Sequence, residues 1–524
     1  MPATIAPPTA TAPDPRRWWT LGVLCLSLLV IGIDNTILNV ALPTLERDLG
    51  ASASQLQWIV DAYMLVFAGL LLTAGALGDR FGRKRALNIG LLIFGAGSAW
   101  SAMAGSAESL IAARALMGVG GAFIMPSTLS ILTATFPAGE RARAIGIWAA
   151  VAGLGIVIGP LSGGWLLEHA SWHAVFVVNL PFVVATLIAG RWLVRESRDP
   201  GAGRLDLLGF ALSITGLTAL VWAIIEAPST GWTDPAILGA FGLAAVALGL
   251  FAVWELRAPA PMLDVRLFRN RRFSAASIAI SLMFFAMFGT IFFLTQYLQL
   301  VLGFSALEAG VRVMPVAAGL IIGGPLSARL AQRIGTKLVV AGGLVLVAGG
   351  LSILSLAEVG SSYGIVAASL SVFGMGLGLA MAPATDSIMG ALPVAKASVG
   401  SAVNDATRTT GGALGVAVLG SLLSSHYRGA MESVTHALPD AAADAARDSL
   451  AGALVVGGRI GGQAGARLTE TAQSAFVGGM HTAVLVAAGI ALAGALIALV
   501  ALPAREADTE PAPAPAAAPE AVVA

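Results

Sequence analysis

Asp34 is where proton chemistry in this chain would have to begin. It stands with Asn35 and Asn39 in Val30–Pro43, inside a run that starts at Trp18 and is otherwise almost wholly apolar. Such a run can cross a bilayer, whose hydrocarbon core of ~30 Å takes about 20 residues. A carboxylate at the centre of a spanning helix costs roughly 2.5–3.5 kcal/mol on insertion scales, so it faces a protein interior or a wet cavity and marks a candidate site. At helical rise Asp34 lies roughly 24 Å beyond Trp18, in the far half of the core. There it is either a proton or substrate group or, if water reaches it from the far interface, a structural acid.

Asp61 lies about four residues, roughly 6 Å, inside the far end of the second apolar run, and Arg114 is similarly shallow in the fourth. Spans 1, 2 and 4 are expected to gather Asp34, Asp61 and Arg114 in the outer half of one half-bundle. A proton and a cationic substrate would then compete to neutralise Asp34, release of one making room for the other. Asp61 reads equally as a second acid or a hydrated structural one. Asn404-Asp405-Ala-Thr-Arg408 puts an acid and a base three apart on one helical face, either a self-neutralising pair or a substrate or proton group. Arg312 has no partner near it in sequence, and Gln296, Tyr297 and Gln299, after Met283, Phe284, Phe285, Met287 and Phe288, would line an apolar cavity with a few polar anchors.

Other chemistries lack support. No histidine pair within a span has metal spacing, and there is no Walker loop or nucleophile constellation, so neither an ATP-driven pump nor an enzyme is indicated. The lone Cys25 can form no intrachain disulfide. A net charge of +1 offers no field for nucleic acid. No cofactor or metal is expected, only protons as coupling ion, a small-molecule substrate and the lipid bilayer.

With 57% hydrophobic and 11% charged residues the chain is far more apolar than a soluble protein, at roughly 25% charged. Apolar runs of spanning length number fourteen, at about 18–42, 57–77, 87–104, 109–134, 144–168, 173–194, 207–226, 236–256, 273–301, 307–330, 337–357, 361–384, 399–424 and 476–502. Arg16, Arg17, Arg80, Arg83, Lys84, Arg85, Arg141, Arg143, Arg204, Arg257, Arg329, Lys337, Lys396 and Arg505, among others, fall in alternate connections starting with the N-terminus. The opposite connections hold Arg47 and, in a long loop at 425–475, Arg428, Arg447, Arg459 and Arg467. Positive charge inside then puts both termini in the cytoplasm of a multi-pass plasma-membrane protein. Segments 1–17 and 503–524 are expected to be disordered tails, and the Ala- and Gly-rich external loop either a short surface helix pair or disordered.

Gly75-Ala-Leu-Gly-Asp-Arg-Phe-Gly-Arg-Lys-Arg85 after the second run is echoed by Gly324–Lys337 after the tenth. The echo divides the chain into an N-terminal six-helix half at 18–194, an inserted pair at 207–256 and a C-terminal half at 273–502, the two-half plan of alternating-access carriers. In the first copy Gly78 and Gly82 permit a sharp turn. Asp79 is placed to pair with Arg83 or to sit at a helix N-terminus.

Gly75-x-Leu-x-Asp79-Arg80-x-Gly82-Arg83-Lys84 resembles the cytoplasmic signature of the major facilitator superfamily. The resemblance implies the all-α major facilitator fold and, for Asp79, Arg80 and Arg83, a charge cluster latching the halves on the cytoplasmic side. In the fifth run, Gly155, Gly159 and Gly163 recur every four residues beside Pro160 and Gly164, a face for close helix contact with a proline to bend it. That segment is similar to the motif of the superfamily's drug:proton antiporters, which implies export. Asp34-x-Thr-x-Leu-Asn39-x-Ala-Leu-Pro43, Trp58-x-x-x-Ala-Tyr63 and Trp172-x-x-x-Phe176-x-x-Asn179-x-Pro181 resemble signatures of its fourteen-span branch. Arg114 matches as well, but Met117 stands where the family more often has Gln. The reading is a monomeric proton-coupled exporter of small amphipathic compounds, with a narrow exporter of a self-made antibiotic as the rival and an uptake carrier disfavoured by the glycines.

Overall fold

Lipid offers no hydrogen bonds to a backbone, so a chain this apolar folds by satisfying its own amides within helices. The computed structural model describes residues 15–198, 205–259, 261–391, 397–436 and 438–503. Most of the expected tails, with Arg204, Lys396 and Arg505, lies outside the described residues, which contain helices and no strand.

The first half comprises α1 (Arg17–Leu49), α2 (Ala53–Phe81), α3 (Arg83–Ser101), α4 (Ala107–Thr135), α5 (Ala138–His169), the short α6 (Ala174–Val177) and α7 (Asn179–Leu193). An apolar hairpin follows, α8 (Leu207–Thr230) and α9 (Pro235–Arg257). The second half holds α10 (Arg271–Gln296), α11 (Ala306–Arg312), α12 (Met314–Ile334), α13 (Thr336–Leu354), α14 (Tyr363–Gly390), α15 (Ala397–Thr435), α16 (Asp440–Asp448), α17 (Leu450–Ile460) and α18 (Gly462–Ala501). Sequence sets the ends: Ser52 and Gln55 form a capping box at α2, and Asp234 caps α9 ahead of Pro235.

The halves pack alike, α1 on α5 and α2 on α4 in one, α10 on α15 and α12 on α14 in the other. They meet along α1–α10, α2–α15 and α5–α11, while α8 lies against both α2 and α15.

Among the described residues, 12 helical segments are long and apolar enough to cross a membrane, two fewer than the fourteen spans expected. Outside that set are α3, which opens on Arg83-Lys84-Arg85, and α15, which carries Asn404, Asp405, Arg408 and paired threonines. Both are helical and packed in the bundle at the places expected for spans 3 and 13. Polar content rather than length sets them apart, so apolarity alone does not establish fourteen crossings.

The segment 425–475 is largely helix rather than loop: α15 continues to Thr435, α16 and α17 form a hairpin, and α18 begins at Gly462. Ala-rich sequence favours helix, and specific bonds seat the hairpin. Tyr427 Oη is 2.9 Å from the carbonyls of both Ala446 and Ser449, and the Ala451 amide donates to Glu46 Oε1 at the end of α1 at 3.1 Å.

If α3 and α15 span, single cysteines in a Cys25→Ser background report it. Gly105→Cys and His436→Cys should react with an impermeant maleimide on intact cells, and Gly139→Cys only after permeabilisation; protection of Gly105→Cys would remove α3 from the spans.

Candidate functional site

Asp34 is the eighteenth of the 33 residues of α1, at mid-helix, because α1 continues to Leu49. It is 0% exposed and Arg114 is 1% exposed. Arg114 Nη1 donates to Asp34 Oδ2 at 2.5 Å, and its Nε donates to the Ile59 carbonyl at 3.2 Å. The guanidinium lies 4.5 Å from the Tyr63 ring centroid, with Met117 Sδ 3.7 Å from Nη1. On the other side Asn179 Nδ2 donates to Asp34 Oδ1 at 3.1 Å and to Ser98 Oγ at 3.2 Å, and Ser98 Oγ donates to the Phe176 carbonyl at 2.7 Å. Side chains from α1, α2, α3, α4 and α7 thus enclose one ion pair. A buried pair is tolerable when its geometry is good and its remaining polar atoms are satisfied.

Asp61 does not join it. It is 0% exposed and both its carboxylate oxygens lack a hydrogen-bond partner among the described residues. On the same face of α2, one turn to either side, Gln57 fills the space over Gly420 and Met64 the space over Gly412. Asp61 therefore lies in the α2–α15 seam between the halves. Asn39 is 3% exposed and donates from Nδ2 to the Asn35 carbonyl at 3.3 Å, apart from Asp34.

The glycine face of α5 lies against α1, the helix that carries Asp34. A Cβ on Gly155 would stand 2.6 Å from the Gly32 carbonyl carbon, on Gly159 3.0 Å from the Ile33 carbonyl oxygen, and on Gly163 2.7 Å from Ile37 Cγ1. Thr36 Oγ1 donates to the Gly155 carbonyl at 2.9 Å across this contact. Gly164 turns to α11, where a Cβ would meet the Ala306 carbonyl at 2.7 Å, and the Pro160 carbonyl abuts Gly310.

Polar bonds between the halves gather at this same end. Thr295 Oγ1 donates to the Asn39 carbonyl at 2.7 Å, Gln299 Nε2 to the Val40 carbonyl at 2.9 Å, and Glu168 accepts from Ser305 Oγ and from the Leu307 amide. Gln299 is thus a bridge between the halves rather than a cavity anchor, while Gln296 Nε2 bonds the Phe292 carbonyl and Tyr297 Oη the Glu358 carbonyl.

At the opposite end Asp79 Oδ1 pairs with Arg83 Nε at 2.6 Å, the first of the two expected roles, and Arg83 Nη1 reaches the Ser130 carbonyl at 3.4 Å. Lys84 Nζ donates to the carbonyls of Arg191 at 3.1 Å and Val194 at 2.7 Å, and Arg80 lies over Phe81. These partners belong to the N-terminal half. Gly82, at φ 125°, has no room for a Cβ beside the Glu196 carboxylate, and Gly75 packs on Pro126.

Asp405 Oδ1 and Arg408 Nη1 are 3.9 Å apart, a loose pair, and Arg408 Nη2 donates to Thr385 Oγ1 at 2.7 Å. The guanidinium lies 5.3 Å from the Phe284 ring. Arg312, without a partner in the sequence reading, has several in the fold: Glu308 at 3.5 Å and the Phe304 ring at 3.7 Å.

Tyr63, Ser98 and Asn179 complete the Asp34 site but were not assigned to it from sequence. Tyr63 and Asn179 stood in recognisable motifs without a role, whereas a serine in α3 carried no signal.

The Major Facilitator Superfamily profile matches residues 24–416. The chain is 38% identical over 495 residues to the multidrug efflux pump LfrA of Mycolicibacterium smegmatis, covering 94% of this chain and 98% of that protein. It is 34% identical over 505 residues to the tetracenomycin C resistance and export protein of Streptomyces glaucescens, covering 95% and 94%. Its fold matches a bacterial homologue of the human lysosomal transporter Spinster in an inward-facing, unoccupied conformation, with TM-score 0.65, 21% identity and coverage of 93% and 98%.

Arg114→Gln leaves a carboxylate buried without its cation and should destabilise the protein by roughly 3–5 kcal/mol. Thermal unfolding in detergent checks this, and Asp34→Asn with Arg114→Gln should recover part of the loss. Gly159→Ala overpacks the α1–α5 contact and should cost ~1–3 kcal/mol, while Gly153→Ala, with nothing within 4 Å of its Cβ, should leave the melting temperature unchanged or slightly raised.

Proposed function

The chain belongs to the Major Facilitator Superfamily, and from that premise we propose that it is a proton-coupled antiporter exporting small amphipathic, cationic or lipophilic drugs from the cytoplasm by alternating access. Relatives named for multidrug efflux and for tetracenomycin C export, matched over nearly their whole length, support the direction and the substrate class. With the basic connections inside, both termini are cytoplasmic and the bonds between the halves close the external end. The charges around Asp79, paired within their own half, then belong to the state open to the cytoplasm.

The observation that carries the coupling is Asp61, a buried acid in the seam between the halves with no hydrogen-bond partner among the described residues. Burying an unpaired charge is costly by several kcal/mol, so the α2–α15 seam closes over Asp61 in its neutral form. Opening the external end hydrates the seam and frees the proton to exchange with the outside. Asp34 supplies the second contest: a cationic substrate or a proton competes with Arg114 for its carboxylate, and the shared α1 carries that change to the glycine contact with α5 and onward to α11. The chain works as a monomer, with no cofactor beyond the proton.

The tetracenomycin C exporter favours a second reading, export of one self-made antibiotic. Inside-out vesicles holding a proton gradient, with an internal pH dye, separate the two when challenged with lipophilic cations and neutral antibiotics. Several compounds should discharge the gradient through the wild type and none through Asp34→Asn or Asp61→Asn. Discharge by one scaffold alone selects the narrow exporter, and equal discharge by wild type and both variants removes these acids from coupling.

A further inference from the structure

A cavity of about 360 Å³ lies between the α8–α9 turn and the helices α15 and α16, away from the Asp34 site. Pro228 and Trp232 line one side, Ser425, Arg428 and Glu432 of α15 and Arg447 of α16 the other. Positions 425, 428 and 432 fall on one helical face. The volume is at the small end of the ~300–1,000 Å³ range of ligand sites.

Its polar groups are incompletely used. Arg428 donates from Nη2 to Asp448, while its Nε and the Ser425 hydroxyl are buried with no hydrogen-bond partner among the described residues. Buried donors in that condition are rare and call for an acceptor from outside the chain. Arg447 Nη2 is 3.4 Å from Asp444 Oδ1, longer than a charge-assisted hydrogen bond. Glu432 stands exposed one turn beyond Arg428.

The charges around the cleft are mixed, Arg428 and Arg447 against Glu432, Asp444 and Asp448. A simple anion would meet the carboxylates and a simple cation the guanidiniums; a zwitterion matches both. Trp232, exposed as tryptophans are where a membrane meets water, stands at the edge, and beyond it Leu238, Leu243 and Leu250 present the apolar outer face of α9.

We infer that this cleft binds the phosphoethanolamine headgroup of a membrane phospholipid. The phosphate accepts from Arg428 Nε, Ser425 Oγ and the Arg447 guanidinium, the ammonium faces Glu432, and the acyl chains leave past Trp232 along α9. The site ties lipid to the junction of the inserted hairpin with α15 and is independent of which compound the carrier exports.

The test is native mass spectrometry of the delipidated full-length protein, with phosphatidylethanolamine, phosphatidylglycerol and soluble glycerophosphoethanolamine as probes. The wild type should hold phosphatidylethanolamine in preference to the other two. Arg447→Gln should weaken that binding about tenfold, the loss of one charge-assisted hydrogen bond, and Glu432→Gln should abolish the preference over phosphatidylglycerol. Both substitutions are at accessible positions, and unchanged melting temperatures would show the fold intact. Equal retention of the two lipids by the wild type, or no effect of either substitution, overturns the site. Binding of the soluble phosphodiester as strong as that of the lipid overturns the lipid as its source.

Discussion

The buried pair of Asp34 and Arg114 is the constraint around which the N-terminal half is arranged. Neither charge can be left alone in a protein interior, so every element that approaches them has to supply a partner or exclude water. The Ile59 carbonyl and the Tyr63 ring serve the guanidinium, and Asn179 serves the remaining carboxylate oxygen, itself held by Ser98. Five helices are brought into register by one interaction, and a change in its charge bears on all of them.

The other face of α1 explains how such a change would travel. Gly32, Ile33, Thr36 and Ile37 are in backbone contact with the glycine face of α5, and α5 continues through Pro160 and Gly164 onto α11 in the other half. Between helices this close stand only the short β-branched side chains of Thr36 and Ile37, which are stiff and leave little slack to absorb a shift. Through α1 and α5 the Asp34 site is thus joined by continuous contact to the polar bonds between the halves.

Much of the fold was legible in the sequence because lipid imposes a simple rule of apolar length. The rule weakens where a helix is shielded by others: α3 begins with three basic residues and α15 carries an acid, a base and several threonines, yet both pack in the bundle. It is silent at 425–475, where Ala-rich segments of moderate hydropathy left a surface helix pair or disorder open, and where helices are seated by Tyr427 and Glu46. Periodicity within a segment cannot reveal a partner several hundred residues away.

By itself the sequence determined the helical membrane architecture, an acid at Asp34 inside a spanning run, Asp79 within reach of Arg83 and the four-residue spacing of the α5 glycines. These are local properties, fixed by hydropathy, spacing and turn geometry. Only the tertiary structure decided that Arg114 belongs to Asp34 while Asp61 stands apart in the α2–α15 seam, that Asn179 and Ser98 complete the site, and that the α5 glycines meet α1. The physical reason is that charge pairing and backbone contact depend on distances across the bundle, set by how helices far apart in the chain are packed.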